Sequence, residues 1–101
     1  MILLKTRVAV LGGGSWGTAL SVLLAKNGVE TGIWVRSEDQ LETMLRKREN
    51  PKYLPDINLP SQLGISNDID ETIKNSSIVV LAVPTHSVRG LLGQLEGKIN
   101  K

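Results

Sequence analysis

The sequence predicts an α/β domain built on a parallel sheet. Three observations lead there. Short apolar runs alternate with stretches of helical periodicity along the whole chain. The first run, Arg7 to Leu11, is apolar at both parities, as a strand covered by helices on both faces must be. A cluster of glycines closes that run at the point where the first helical pattern begins.

Taken in order, Arg7–Leu11 is the first strand, with room for an earlier start within Met1–Thr6. Ser15 is the expected cap of a helix over Trp16–Asn27, with Ala19, Leu20, Leu23 and Leu24 as its apolar stripe. Gly28 suits the left-handed stop after it. Val29–Val35 is the second strand. Ser37 to Gln40 has the pattern of a capping box, Ser37 capping and Gln40 reaching back. The helix it opens runs to about Arg48, with Leu41, Met44 and Leu45 on one face.

Glu49 to Ser61 contains Pro51, Pro55 and Pro60 and is expected to be neither regular helix nor central strand. A loop of this length in a small domain is often functional. Leu63–Ser66 is a short third strand, and Asp68 with Glu71 caps a short helix ending near Asn75. Ser77–Val83 is the fourth strand. Pro84-Thr85 breaks it and starts a helix to about Leu95, with Val88, Leu91, Leu92 and Leu95 as its stripe and Gly97 as its stop.

The glycines Gly12, Gly14 and Gly17 fall at G-x-G-x-x-G spacing between the first strand and the first helix. In that setting Gly12 turns the chain, Gly14 lets a pyrophosphate approach, and Gly17 lets helix and strand pack closely. The helix start offers unpaired N–H groups and the positive end of the dipole to an anion. A G-x-G-x-x-G alone is weak evidence; here the strand, helix and second strand supply its context. The expected strand order is 3-2-1-4, the first half of a doubly wound, Rossmann-type sheet. Such a fold has two halves, so the chain is expected to be an incomplete domain and part of a longer protein. Its fourth strand would then form a sheet edge despite an apolar sequence.

Composition narrows the function classes. The 101 residues fit one small domain, and 41% are hydrophobic. With no Phe and only three aromatic residues, Trp16, Trp34 and Tyr53, the core must be aliphatic. The formal charge of +2 gives no argument for nucleic acid. The basic run Arg46–Arg48 reads as a solvated helix end. The absence of Cys excludes disulfides and thiolate metal sites. No apolar run approaches the ~20 residues of a membrane span, and the expected location is the cytoplasm.

The residue closing the second strand, about 20 positions beyond the glycine motif, faces the adenosine ribose of a bound dinucleotide. NAD sites usually place a carboxylate there; this chain has Val35-Arg36-Ser37. Arg36 offers a planar cation to a 2′-phosphate, so NADP(H) is expected to be preferred, with NAD(H) as the alternative. Trp16 either walls the cofactor pocket or packs at the first helical turn. His86, the only histidine, is a helix-start residue or, less simply, a general acid–base. No catalytic residue and no metal site is assigned.

Three separated stretches carry a resemblance to a known family. They are Val8 to Leu20, Asn50-Pro51-Lys52-Tyr53-Leu54-Pro55 with Leu59-Pro60, and Val80-Leu81-Ala82-Val83-Pro84-Thr85-His86. Together they closely resemble the N-terminal part of bacterial NAD(P)-dependent glycerol-3-phosphate dehydrogenase. Gly13 departs from the Ala common there, with little consequence expected. The resemblance implies reversible hydride transfer between NAD(P)H and dihydroxyacetone phosphate, giving sn-glycerol 3-phosphate for phospholipid synthesis. It places cofactor contacts at Gly12, Gly14, Ser15, Trp16, Gly17, Arg36 and Tyr53, and puts Pro84 near the nicotinamide end. The family's catalytic lysines and helical substrate domain lie beyond this chain, which is therefore expected to be inactive alone. The alternative is a stand-alone nucleotide-binding module, with the fourth-strand edge as a candidate homodimer surface.

Overall fold

The computed structural model describes residues 6–96. Of the earlier strand start expected within Met1–Thr6, Met1–Lys5 lie outside the described residues, as does the Gly97 stop, and Thr6 is not part of the strand. Eight elements alternate: β1 (Arg7–Leu11), α1 (Ser15–Lys26), β2 (Glu30–Trp34), α2 (Glu38–Lys47), β3 (Gly64–Ser66), α3 (Ile69–Ile73), β4 (Ile78–Leu81) and α4 (Thr85–Leu95). The sheet order is β3-β2-β1-β4, every pair parallel. This is the α/β Rossmann-type architecture and the strand order that the alternation predicts.

The period-two alternation of β1 divides the core. Val8 and Val10 join Ile33, Val22, Ala25 and Met44 on the face covered by α1 and α2. Ala9 and Leu11 join Trp34, Ile69, Ile73, Leu91 and Leu95 on the face covered by α3 and α4. With helices on both sides, β1 from Val8 to Leu11 and β2 from Thr31 to Trp34 are buried. β3 and β4 are the edge strands among the described residues, and the residues of β4 are exposed or half-buried, Ile78 being 49% exposed.

α1 departs from the expected stripe. Its buried residues are Gly17, Thr18, Ser21, Val22 and Ala25, while Leu23 is 59% exposed and Leu20 and Leu24 only flank the core. The cause is close packing. A Cβ at Gly17 would overlap the Gly12 carbonyl, so the helix lies too near the turn for large side chains to fill the gap. α2 and α4 follow their stripes more closely, burying Met44, and Leu91 with Leu95, although Leu45 and Leu92 face outward.

Helix ends are decided by local chemistry. Ser15 is not the cap of α1; Gly14 is, in extended conformation and without a side-chain capping bond, and Ser15 is the first helical residue. Ser37 caps α2 by accepting from the Gln40 backbone N–H at 3.2 Å. Gln40 does not reach back: its Nε2 donates instead to the Gly13 carbonyl at 2.6 Å. Asp68 caps α3 through the Glu71 N–H, as its spacing predicts. Gly28 has φ +82, the left-handed stop after α1.

The proline-rich segment is irregular but tied down at both ends. Asn50 and Leu59 are buried, and the Leu59 N–H donates to the Arg48 carbonyl at 2.7 Å. Arg48 ends α2 in the left-handed region, φ 51, and its Nη2 donates to the carbonyls of Pro60 and Leu63.

Candidate dinucleotide site

β1 and α1 meet at Gly12–Gly14. Gly12 has φ +135, and a Cβ there would overlap the backbone carbonyl of Ala82 at the end of β4. Only glycine combines that conformation with that approach. The turn therefore sits where the two β1 neighbours part, β2 reached through α1 on one face and β4 through α3 on the other. In open α/β sheets this is where the crevice for a ligand opens.

A crevice of about 260 Å³ does open there, lined by Gly12, Gly13, Gly14, Arg36, Tyr53 and Pro84 among others. A second pocket of about 370 Å³, between the start of α2 and the proline-rich segment, shares Gln40 and Tyr53 with it. The larger pocket is the more distant from the glycine turn. The smaller one matters more, because of these two it is the one that reaches the turn and the ends of β1, β2 and β4.

The turn is prepared for an anion. The first N–H groups of α1 have no partner within the helix, no side chain caps them, and the first turn carries no carboxylate. A Cβ on Gly14 would meet no atom within 4 Å, so the space beside it is open. These features have the chemistry of a site for an anion such as the pyrophosphate of a dinucleotide, with the backbone of Gly14, Ser15, Trp16 and Gly17 as the groups that could hold it. Gly13 is less free than the sequence suggests. A Cβ there would press on Val35 Cγ1 and the Gln40 amide.

Arg36 follows β2 and lines the crevice, its guanidinium 5.9 Å from the centre of the Trp34 ring. Trp34 is held in turn by its indole N–H, which donates to the Asn67 carbonyl at 3.0 Å. Tyr53 lines both pockets, with Lys52 Nζ 5.3 Å from its ring centre. The structure thus brings Gly12, Gly14, Arg36 and Tyr53 to one crevice. Ser15, Trp16 and Gly17 stand at the adjoining helix start. The Trp16 side chain neither walls the crevice nor packs in the core; it is 62% exposed. His86 is exposed on the first turn of α4 and does not line the crevice. Among the described residues no group of acidic, His or Cys side chains is placed to hold a metal, and no helix is long and apolar enough to cross a membrane.

Sequence reasoning missed two residues that shape the turn. Thr18 and Asn50 are both buried and hydrogen-bonded to each other at 2.8 Å. Asn50 opens the proline-rich motif, which is the one sequence signal that could have marked it.

A glycine turn that opens a helix at the switch point of a parallel sheet defines a dinucleotide-binding unit of the Rossmann class. Comparison with known proteins narrows the class. Residues 7–101 match the family described as NAD-dependent glycerol-3-phosphate dehydrogenase N-terminus, and the chain belongs to that family. Glycerol-3-phosphate dehydrogenase (NAD(P)+) of Halothermothrix orenii is 41% identical over 98 residues, covering 97% of this chain and 29% of the relative. The Thermus thermophilus enzyme of the same name is 48% identical over 83 residues, covering 82% of this chain and 26% of the relative. The crystal structure of glycerol-3-phosphate dehydrogenase from Coxiella burnetii superposes with a TM-score of 0.91 at 28% identity, over 96% of this chain and 30% of that one. The chain thus spans less than a third of the length of these relatives.

Proposed function

We propose that this chain is the nicotinamide-dinucleotide-binding part of a glycerol-3-phosphate dehydrogenase. The observation that carries the reading is the open Gly12–Gly14 turn, with unpaired N–H groups at the start of α1, set at the β1/β4 switch point. Gly12, Gly14, Ser15, Trp16 and Gly17 hold the pyrophosphate, and Arg36 and Tyr53 flank the adenosine half. Arg36 follows β2 at the place where a carboxylate would favour NAD(H), so NADP(H) is the preferred cofactor.

In the whole enzyme the bound cofactor supplies the hydride that converts dihydroxyacetone phosphate to sn-glycerol 3-phosphate, feeding phospholipid synthesis. This chain contributes the cradle and not the substrate site, and it has no turnover alone. A cytoplasmic location and homodimerisation belong to the same proposal. Calorimetric titration of the chain with NADPH and NADH tests it. Binding of both, tighter for NADPH, is the expected result; binding of neither would sink the reading. Oxidation of NADPH by dihydroxyacetone phosphate with this chain alone would refute the division of labour.

A further inference from the structure

The glycine turn is held from outside itself. Three donors converge on the Gly13 carbonyl: Gln40 Nε2 at 2.6 Å, Asn50 Nδ2 at 2.9 Å and Thr18 Oγ1 at 3.3 Å. Asn50 is only 1% exposed, and its Nδ2 also donates to Thr18 Oγ1 at 2.8 Å. Its Oδ1 lies 3.5 Å from Gln40 Nε2. The three side chains come from α1, the start of α2 and the proline-rich segment, and they meet on one peptide oxygen.

The geometry of that peptide gives the arrangement a consequence. In a planar trans peptide the N–H points opposite to the C=O. Fixing the Gly13 carbonyl toward Asn50, Gln40 and Thr18 therefore fixes the Gly14 N–H in the opposite direction. Of the turn glycines Gly12, Gly13 and Gly14, Gly14 is the one whose added Cβ would meet only open space, and it lines the crevice. The Gly14 N–H has no acceptor among the described residues. Glycine on both sides leaves this peptide plane free to rotate unless something holds it. A rotated plane would turn a carbonyl oxygen toward the anion instead of an N–H.

We propose that Asn50 is a positioning residue for the pyrophosphate cradle, acting through the Gly13 carbonyl to aim the Gly14 N–H at the phosphate. The proposal rests on the dinucleotide-binding reading above. It also joins the cradle to the proline-rich segment. The Asn50 carbonyl accepts from the Tyr53 and Leu54 N–H groups at 3.2 and 2.7 Å, so the residue that sets the turn also sets the loop carrying Tyr53. Gln40 and Thr18 support the same oxygen, but Asn50 alone binds it from the loop.

The test uses ¹⁵N-labelled chain titrated with inorganic pyrophosphate, with the Gly14 amide resonance as the probe. In the native chain that resonance moves on binding. In Asn50→Leu, which keeps the bulk and removes the donors, it starts from a shifted position, and pyrophosphate binds about 3–10-fold more weakly. The Trp34 indole resonance stays in place, reporting an intact fold. Thr18→Val removes one donor with little change of shape and moves the same resonance in the same direction. It decides the matter if Asn50→Leu does not fold. Native affinity and a native Gly14 response in the folded variants would overturn the role of Asn50 while leaving the dinucleotide reading intact. A native chain that binds neither pyrophosphate nor NADPH would overturn both.

Discussion

The Arg36 guanidinium stands 5.9 Å from the centre of the Trp34 ring, at the mouth of the crevice that holds the glycine turn. Cation and ring attract each other, and the ring limits where the cation can go. Trp34 is itself fixed by burial and by its bond to Asn67. Arg36 is thus a charge presented from a rigid support. If it meets the 2′-phosphate, Arg36→Asp lowers NADPH affinity about tenfold or more, the value of a charge-assisted hydrogen bond. NADH, which has no 2′-phosphate, loses much less. Parallel calorimetric titrations read the ratio, and an unchanged ratio would show that Arg36 does not select the cofactor.

The glycines separate by what surrounds them. Gly12 needs φ +135 and touches the Ala82 carbonyl; Gly14 has an ordinary φ of −77 and open space. Gly12→Ala costs about 1–3 kcal/mol from backbone strain, with the overlap adding to it. Gly14→Ala leaves stability within about 1 kcal/mol of native. It weakens dinucleotide binding because its methyl group occupies ligand space. Urea denaturation followed by NADPH titration distinguishes the two. Equal loss of stability in both variants would contradict the geometry.

At the opposite end of the sheet, Arg7 ties β1 to β2 and to the end of α3. Its Nη1 pairs with Glu30 Oε2 at 3.0 Å, and it donates to the carbonyls of Lys74 and Thr72 at 3.2 and 3.4 Å. Glu30 is largely exposed, so solvent screens the pair, and Glu30→Gln costs about 0.5 kcal/mol or less. Arg7→Met also leaves two carbonyls without their donor and costs about 1–2 kcal/mol. Denaturation midpoints at low and high salt measure both. A Glu30 variant as damaging as the Arg7 variant would mean that the ion pair, not the carbonyl contacts, is what Arg7 contributes.

Much of this architecture is legible because its signals are local. The run Arg7–Leu11, the glycine spacing and the Gly28 stop each act within a few residues, and alternation of strand and helix then forces the parallel order. What escapes the sequence depends on partners far along the chain. Asn50 reaches Gly13 across 37 positions, and no periodicity announces a side chain bonded to a remote carbonyl. Gln40 has the spacing of a capping-box partner, yet the Gly13 carbonyl draws its amide away. The buried face of α1 differs from its apolar stripe because a helix packed this closely buries small residues, Ser21 and Ala25, and turns Leu23 to solvent. Trp16 shows the same limit: its type suggests a wall or a core, and only the direction of the helix face shows it to be exposed.

Ser15 and Ser37 each precede or open a helix, and the sequence suggests a capping role for both. They differ in what the hydroxyl does. Ser37 Oγ accepts from the Gln40 N–H, whereas Ser15 is the first residue of α1 and makes no capping bond. Ser37→Ala should therefore cost about 1 kcal/mol of stability. Ser15→Ala should stay within about 0.5 kcal/mol of native, since an exposed serine at a helix start gives up no cap. Binding reverses the order. Ser15 opens α1 beside the Gly12–Gly14 turn, where the pyrophosphate is proposed to sit, so its loss is expected to weaken NADPH binding, while Ser37 lines the second pocket and its loss is expected to affect binding less. Thermal or urea denaturation and calorimetric titration of the two variants read both axes. A Ser15 variant that loses stability but keeps full affinity would mean that its hydroxyl caps α1 and takes no part in holding the cofactor.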